Sequence, residues 1–169
     1  MPNHTTNELT VVHKKDGSQV MHIEDPKLRG LLESFCLDKV IPMPEELKGT
    51  TSPSDSPNWY DWSVDNWGTK WNVYATHNTE ANEDETINLF NTDGQFYTAW
   101  APPIPIIRKL QKDYPDYEFT LEYVDEGWGY AGILMADGTD LCITEEKEII
   151  KYALRLGATT EEEIKEMQA

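Results

Sequence analysis

Only two cysteines occur in the 169 residues, Cys36 and Cys142, far apart and outside any CxxC pair. That excludes a disulfide framework, and two isolated thiols do not ligate an iron–sulfur cluster. The four histidines, His4, His13, His22 and His77, show no ligand spacing, so no zinc site is expected. Basic residues are equally scarce: 14 Lys and Arg stand against 31 Asp and Glu, a net charge of −17. Binding to duplex nucleic acid requires cations that displace phosphate counterions, so direct nucleic-acid binding is disfavoured and none is expected. An anionic membrane surface is disfavoured for the same reason. No apolar run approaches the roughly 18 residues of a membrane span, and no charged–apolar–small leader pattern opens the chain. The expectation is a reduced, cytosolic protein without a membrane partner.

Nucleotide motifs are also missing. The Gly68-Thr69-Lys70 run lacks the glycine-rich frame of a phosphate loop. "GWGYAG" spells G-x-G-x-x-G through Gly127, Gly129 and Gly132, but it lies between predicted strands rather than at a strand-to-helix turn. It reads as a hairpin or bulge, where glycines relieve the backbone. Cys36 and Cys142 read as small packing residues rather than nucleophiles. Carboxylates are so abundant that pairing Glu122 with Glu126 as acid and base has no support. No catalytic residue and no cofactor is assigned.

What the chain does have is tryptophan. Four of its six fall in "NWYDWSVDNWGTKWNVY", residues 58–74. Aromatic residues make up 11% of the chain, too rich for a disordered one, and the length suits a single domain.

The periodicities place elements around this stretch. Residues 7–17 read as a strand, Leu9 and Val11 alternating with Thr10 and Val12, with a turn at Asp16-Gly17. Residues 24–40 read as a helix, with Asp25 as N-cap, Pro26 in the first turn and Leu28, Leu31, Leu32 and Phe35 on one face. The proline-rich segment 41–57 is a long connection. Trp59 and Trp62 suit a short helical turn ended by Gly68. Strands are predicted from Trp71 through Val73 and Ala75, over 86–94 with Ile87 and Leu89 inward, and over 95–100. Between the first two, "EANEDET" reads as an acidic hairpin tip. A helix over 102–114 buries Ile106, Ile107 and Leu110, and two strong strands follow, ending at Asp137-Gly138. From Thr144 to Gly157 a helix carries a stripe of Ile149, Ile150, Ala153, Leu154 and Leu156. Thr160 and Glu163 match a capping box before a last short helix. This order predicts an α+β fold, an antiparallel sheet with two helices on one face, plus a C-terminal helical appendage. The expected division is a domain over 1–140 and a helical extension over 141–169, packed on the domain or used for interaction.

"MPNHTTNELTV", "IPMPEEL", "NWGTKWN" and "FYTAWAPPIPIIRKLQKDYPDYEFTLEYVDEGWGYAG" together resemble the YubB-type family of phage and plasmid proteins. The resemblance covers roughly residues 1–137. It implies a ferredoxin-like domain, in agreement with the element order, and a home in mobile genetic elements of bacteria. It implies no catalytic residues, and the helical tail lies outside its motifs.

The tryptophans have two readings. In one they are core: Asn66, Gly68 and Thr69 shape a turn, Lys70 pairs with a carboxylate, and Trp100 with the prolines at 102, 103 and 105 caps the cluster. In the other, Trp59, Trp62, Asn66, Trp67, Lys70, Trp100 and Trp128 line a groove for a partner or a flat ligand such as a base. Carboxylates at loop tips, Glu80, Glu83, Asp84, Glu85, Asp125 and Glu126, form a candidate contact surface, or simply solvated tips that keep the sheet from pairing edge to edge. The function expected is that of a non-enzymatic acidic interaction protein from a phage or other mobile element. It would bind a host bacterial protein that handles nucleic acid or serves in defence. The alternative is a protein that sequesters a small ligand or nucleotide in the tryptophan groove.

Overall fold

Leu9 and Val11 point to one side of their strand and Thr10 between them to the other. The computed structural model of the chain describes residues 3–15, 17, 23–74, 85–167 and 169. In it this strand, β1 (His4–His13), is the second strand of a five-stranded sheet, one in from the edge. Its neighbours are β2 (Gln95–Ala99) and β3 (Tyr117–Asp125), with β4 (Ala131–Leu134) and β5 (Asp140–Ile143) beyond β3. The order is β2-β1-β3-β4-β5 and every pairing is antiparallel. The expected α+β class holds.

One face of the sheet presents Leu9, Val11, Phe96, Phe119, Leu121 and Leu134 to the main core. Among the described residues, four helices contribute to that core: α1 (Pro26–Glu33), α2 (Leu37–Val40), α3 (Trp59–Trp67) and α4 (Ile104–Asp113). Asp25 caps α1 as expected, its Oδ1 accepting from the Lys27 and Leu28 amides at 2.9 and 3.0 Å. Leu28 and Leu32, one turn apart, are buried, as are Ile106, Ile107 and Leu110 of α4. Each such side chain contributes roughly 1.5–3 kcal/mol of burial.

The other face takes α5 (Glu146–Arg155), whose Ile149 and Ala153 pack with Leu156 on Val124 and Ala131. The Arg155 guanidinium bridges to Glu122 and lies 3.8 Å from Glu8. Gln95 Nε2 donates to the Leu156 carbonyl at 3.2 Å. The boundary expected at 140/141 falls inside β5, so residues on both sides of it share the sheet. The capping box opens α6 (Glu161–Met167): the Thr160 amide donates to Glu163 Oε2 at 2.9 Å and the Glu163 amide to Thr160 Oγ1 at 3.3 Å.

Three expectations about elements change. The single helix over 24–40 is two, because Phe35 leaves the helix to exchange backbone hydrogen bonds with Ile87 at 2.8 and 2.9 Å. Asn72 Oδ1 then accepts from the Leu37 amide at 2.7 Å, at the start of α2. The strand expected over 86–94 is absent for the same reason. Ile87 and Leu89 are buried, but their amides bond to the end of α1, Leu89 donating to the Leu32 carbonyl at 2.9 Å. The strand expected from Trp71 is reduced to one bridge, Tyr74 with Tyr97, and residues 75–84 lie outside the described residues. The expected turn at Asp93-Gly94 is present, with Gly94 at φ +82° and its carbonyl accepting from the Leu9 amide at 3.0 Å. A Cβ on Gly94 would stand 2.2 Å from the Leu9 carbonyl oxygen, so glycine is required.

Candidate functional site

The tryptophan stretch begins at Asn58, whose side chain caps α3 by accepting from the Asp61 amide at 3.0 Å. Gly68 ends the helix in the left-handed region at φ +79°. A Cβ there would meet Pro105 Cδ at 2.8 Å and the Pro102 carbonyl at 3.3 Å, so the helix end seats directly on the proline-rich start of α4. Thr69 Oγ1 donates to the Ala99 carbonyl at 2.7 Å, and Ser63 Oγ to the Lys70 carbonyl at 2.8 Å. The "NWGTKW" and "TAWAPP" segments, well separated in the chain, are thereby pinned together.

Their junction puts Lys70 among aromatic rings. Its Nζ lies 4.5 Å from the Trp100 ring centroid, 4.6 Å from that of Trp71 and 6.0 Å from that of Tyr60. Tyr60 meets Trp100 edge to face at 6.4 Å. Trp71 and Trp100 are 40% and 43% exposed, so this cluster is on the surface. Lys70 forms no ion pair among the described residues, although a carboxylate partner is what the core reading expects. A cation over a ring at an exposed site is worth about 0.5–1 kcal/mol.

Trp100 holds its place on a strained backbone, φ +70°, of the kind that costs about 1–3 kcal/mol. Its amide donates to the Asn3 carbonyl at 3.0 Å, and its carbonyl accepts from Tyr130 Oη at 2.6 Å. Thr5 Oγ1 lies 2.8 Å from the same phenol, and burial pushes Tyr130 up to about 12, which keeps it a proton donor. The turn takes Trp100 out of the alternation of β2, where Phe96 and Thr98 are fully buried.

The other tryptophans lie elsewhere. Trp67 is buried and its Nε1 donates to the Ile41 carbonyl at 2.8 Å. Trp62 meets Trp67 edge to face at 5.4 Å and packs on the main core. Trp59 is half-buried, edge to face with Tyr60 at 5.8 Å, and Asn66 Nδ2 donates to the Trp62 carbonyl at 2.9 Å within α3. Trp128 sits in the β3–β4 hairpin at φ +58° and packs on the second cluster, beneath α5. Of the seven candidates the structure brings together Lys70 and Trp100, and adds Tyr60 and Trp71, which the sequence reading left out. Strand alternation puts Trp71 on one side with Val73. Val73 is buried, but Trp71 turns outward to the lysine. Only the adjacency of Lys70 and Trp71 hinted at this.

The acidic candidates divide as well. Asp125 is buried, and its Oδ2 accepts from the Gly129 amide at 3.2 Å inside the hairpin. Glu126 faces His4 at 4.0 Å. Glu85 is exposed and edges an open groove of about 450 Å³, lined also by Cys36, Lys39, Lys48 and Trp67. Glu80, Glu83 and Asp84 lie outside the described residues. Among the described residues no group of three or more His, Cys, Asp or Glu is arranged to hold a metal, and no helix is long and apolar enough to cross a membrane.

Fold and site thus define an α+β domain with an aromatic–lysine cluster at the end of its central sheet. Residues 70–166, more than half of the chain, match the family of the ferredoxin-like domain in Api92-like protein, and the chain belongs to that family. The matched span starts at Lys70 and includes β5, α5 and nearly all of α6, so the C-terminal helices fall within it. Comparison with curated proteins and with solved structures finds no match.

Proposed function

We propose that this chain is a non-enzymatic interaction protein that binds and modulates a basic protein of a bacterial host, in the host cytosol. The observation that carries this reading is the exposed Trp71–Lys70–Trp100 stack on a chain of net charge −17. Exposed tryptophans are the usual energetic anchors of protein interfaces, and a strong single-sign field speeds encounter with an opposite charge. The YubB-type likeness supports an origin in a phage or other mobile element. The acidic balance favours a partner that handles nucleic acid or acts in defence.

The test is a pull-down of the tagged full chain from bacterial lysate, at low salt and at about 0.5 M, where screening shortens to a few ångströms. The expected result is one enriched basic protein, released at high salt and captured poorly by Trp100→Ala. Capture that ignores both salt and Trp100 would overturn the reading. The exposed ring faces also favour a second reading, a flat ligand or nucleotide held against Trp71 and Trp100. That reading gains if no protein is captured while a nucleotide quenches their fluorescence.

A further inference from the structure

We propose that Tyr60, Trp71 and Trp100 form a cage for a cationic side chain, that Lys70 is its internal occupant, and that an arginine of the partner displaces it. The choice of occupant rests on the basic-partner reading above; the cage itself does not. Three rings surround one ammonium, two of them within 4.6 Å of it and each at least 40% exposed. Attraction to ring faces is the chemistry by which aromatic cages select cations. Lys70 stays on those rings without an ion pair among the described residues, in a chain with 31 acidic side chains. The rings therefore accept a cation with no carboxylate paired to it among the described residues. Their mounting is rigid: Trp100 is tied at both its amide and its carbonyl, and Lys70 and Trp71 follow the Gly68–Thr69 anchor. The hold on Lys70 itself is weak, because its stem is flexible and its ammonium is strongly hydrated. A guanidinium is planar, less hydrated and stacks on indole, so it competes well for the same space. The acidic field draws such a group in. Lys70 then acts as a plug that keeps the rings covered until an arginine arrives.

The probe is the peptide acetyl-Gly-Arg-Gly-amide, titrated into the full chain at about 0.15 M salt and followed through the indole N–H signals of Trp71 and Trp100 by NMR. Its citrulline analogue has the same shape without the charge. Lys70→Ala is expected to bind the arginine peptide about two- to fivefold more tightly than the unmodified chain, which is the loss of one competing cation–ring contact. Trp100→Ala should lose the binding, and the citrulline peptide should not bind. Lys147→Ala, exposed on α5 on the other face of the sheet, removes an equal charge outside the cage and should leave the affinity unchanged. An equal gain in Lys147→Ala, no gain in Lys70→Ala, or equal binding of citrulline would overturn the cage. Circular dichroism of each variant reports that the fold is retained. Because the peptide replaces the partner, failure here leaves the salt-sensitive pull-down standing, and the reverse also holds.

Discussion

Trp67 and Trp100 carry the same indole into opposite surroundings. Trp67 is 5% exposed, with its N–H satisfied by the Ile41 carbonyl, whereas Trp100 is 43% exposed on a strained backbone. Trp67→Ala should therefore cost about 3–5 kcal/mol, as large aromatic truncations in a core do. Trp100→Ala removes a solvent-facing ring and should stay within about 1 kcal/mol, an ordinary surface effect. Urea unfolding of both variants checks the contrast. Equal losses would mean that Trp100 is part of the core after all, and the surface cluster would lose its basis.

At the scale of elements, two glycines join parts that are distant in the chain. Gly94 brings the loop before β2 against β1, and Gly68 brings the end of α3 against the proline-rich start of α4. Both sit at positive φ, where a Cβ costs about 1–2 kcal/mol on its own. The neighbours differ. At Gly94 the Cβ would strike the Leu9 carbonyl at 2.2 Å, backbone that cannot yield without breaking β1. At Gly68 the nearest atom is a proline ring carbon at 2.8 Å, which can shift a little. Gly94→Ala should thus lower the urea midpoint clearly more than Gly68→Ala. Gly68→Ala should instead disturb the indole signals of Trp71 and Trp100, since the helix end aims them. The reverse ranking would show that the β1 contact is softer than its geometry indicates.

At the scale of the whole molecule, one buried and two half-buried phenols tie strands and segments together. Tyr74 Oη donates to the Thr98 carbonyl at 3.1 Å and lies 2.6 Å from His4 Nδ1. Tyr123 donates to Asp140 across the sheet at 2.8 Å, and Tyr130 holds the Trp100 carbonyl. Burial pushes Tyr74 and Tyr130 up from 10.0 to about 12 and raises Tyr123 as well. The folded state thus favours the neutral phenols. Their contribution is fully present below pH 10, where the unfolded phenols are also neutral, and is lost as pH rises toward 12, because the unfolded chain releases its protons first. The urea midpoint should fall between pH 10 and 12, together with a late tyrosinate absorbance. A midpoint flat through that window would show that these phenols ionise as freely in the fold as out of it.

Local chemistry was readable in the sequence. Asp25 before Pro26, Gly68 after α3, and Thr160 with Glu163 mark helix ends through contacts made within a few residues, and the structure uses each of them so. The alternation in β1 likewise predicts that Leu9 and Val11 are buried. Pairing between distant segments was not readable. Ile87 and Leu89 look like a strand but satisfy the end of α1, and β5 has only four residues, mostly exposed, with a pattern too short to read. The candidate site falls in this second group. The sequence by itself determined the acidic balance, the α+β class and the gathering of tryptophans in one stretch, because these follow from composition and local period. Only the tertiary structure decided which indoles are core and which face water. That division depends on where the Gly68 helix end meets the Trp100 turn, and no local period encodes a meeting of two distant segments.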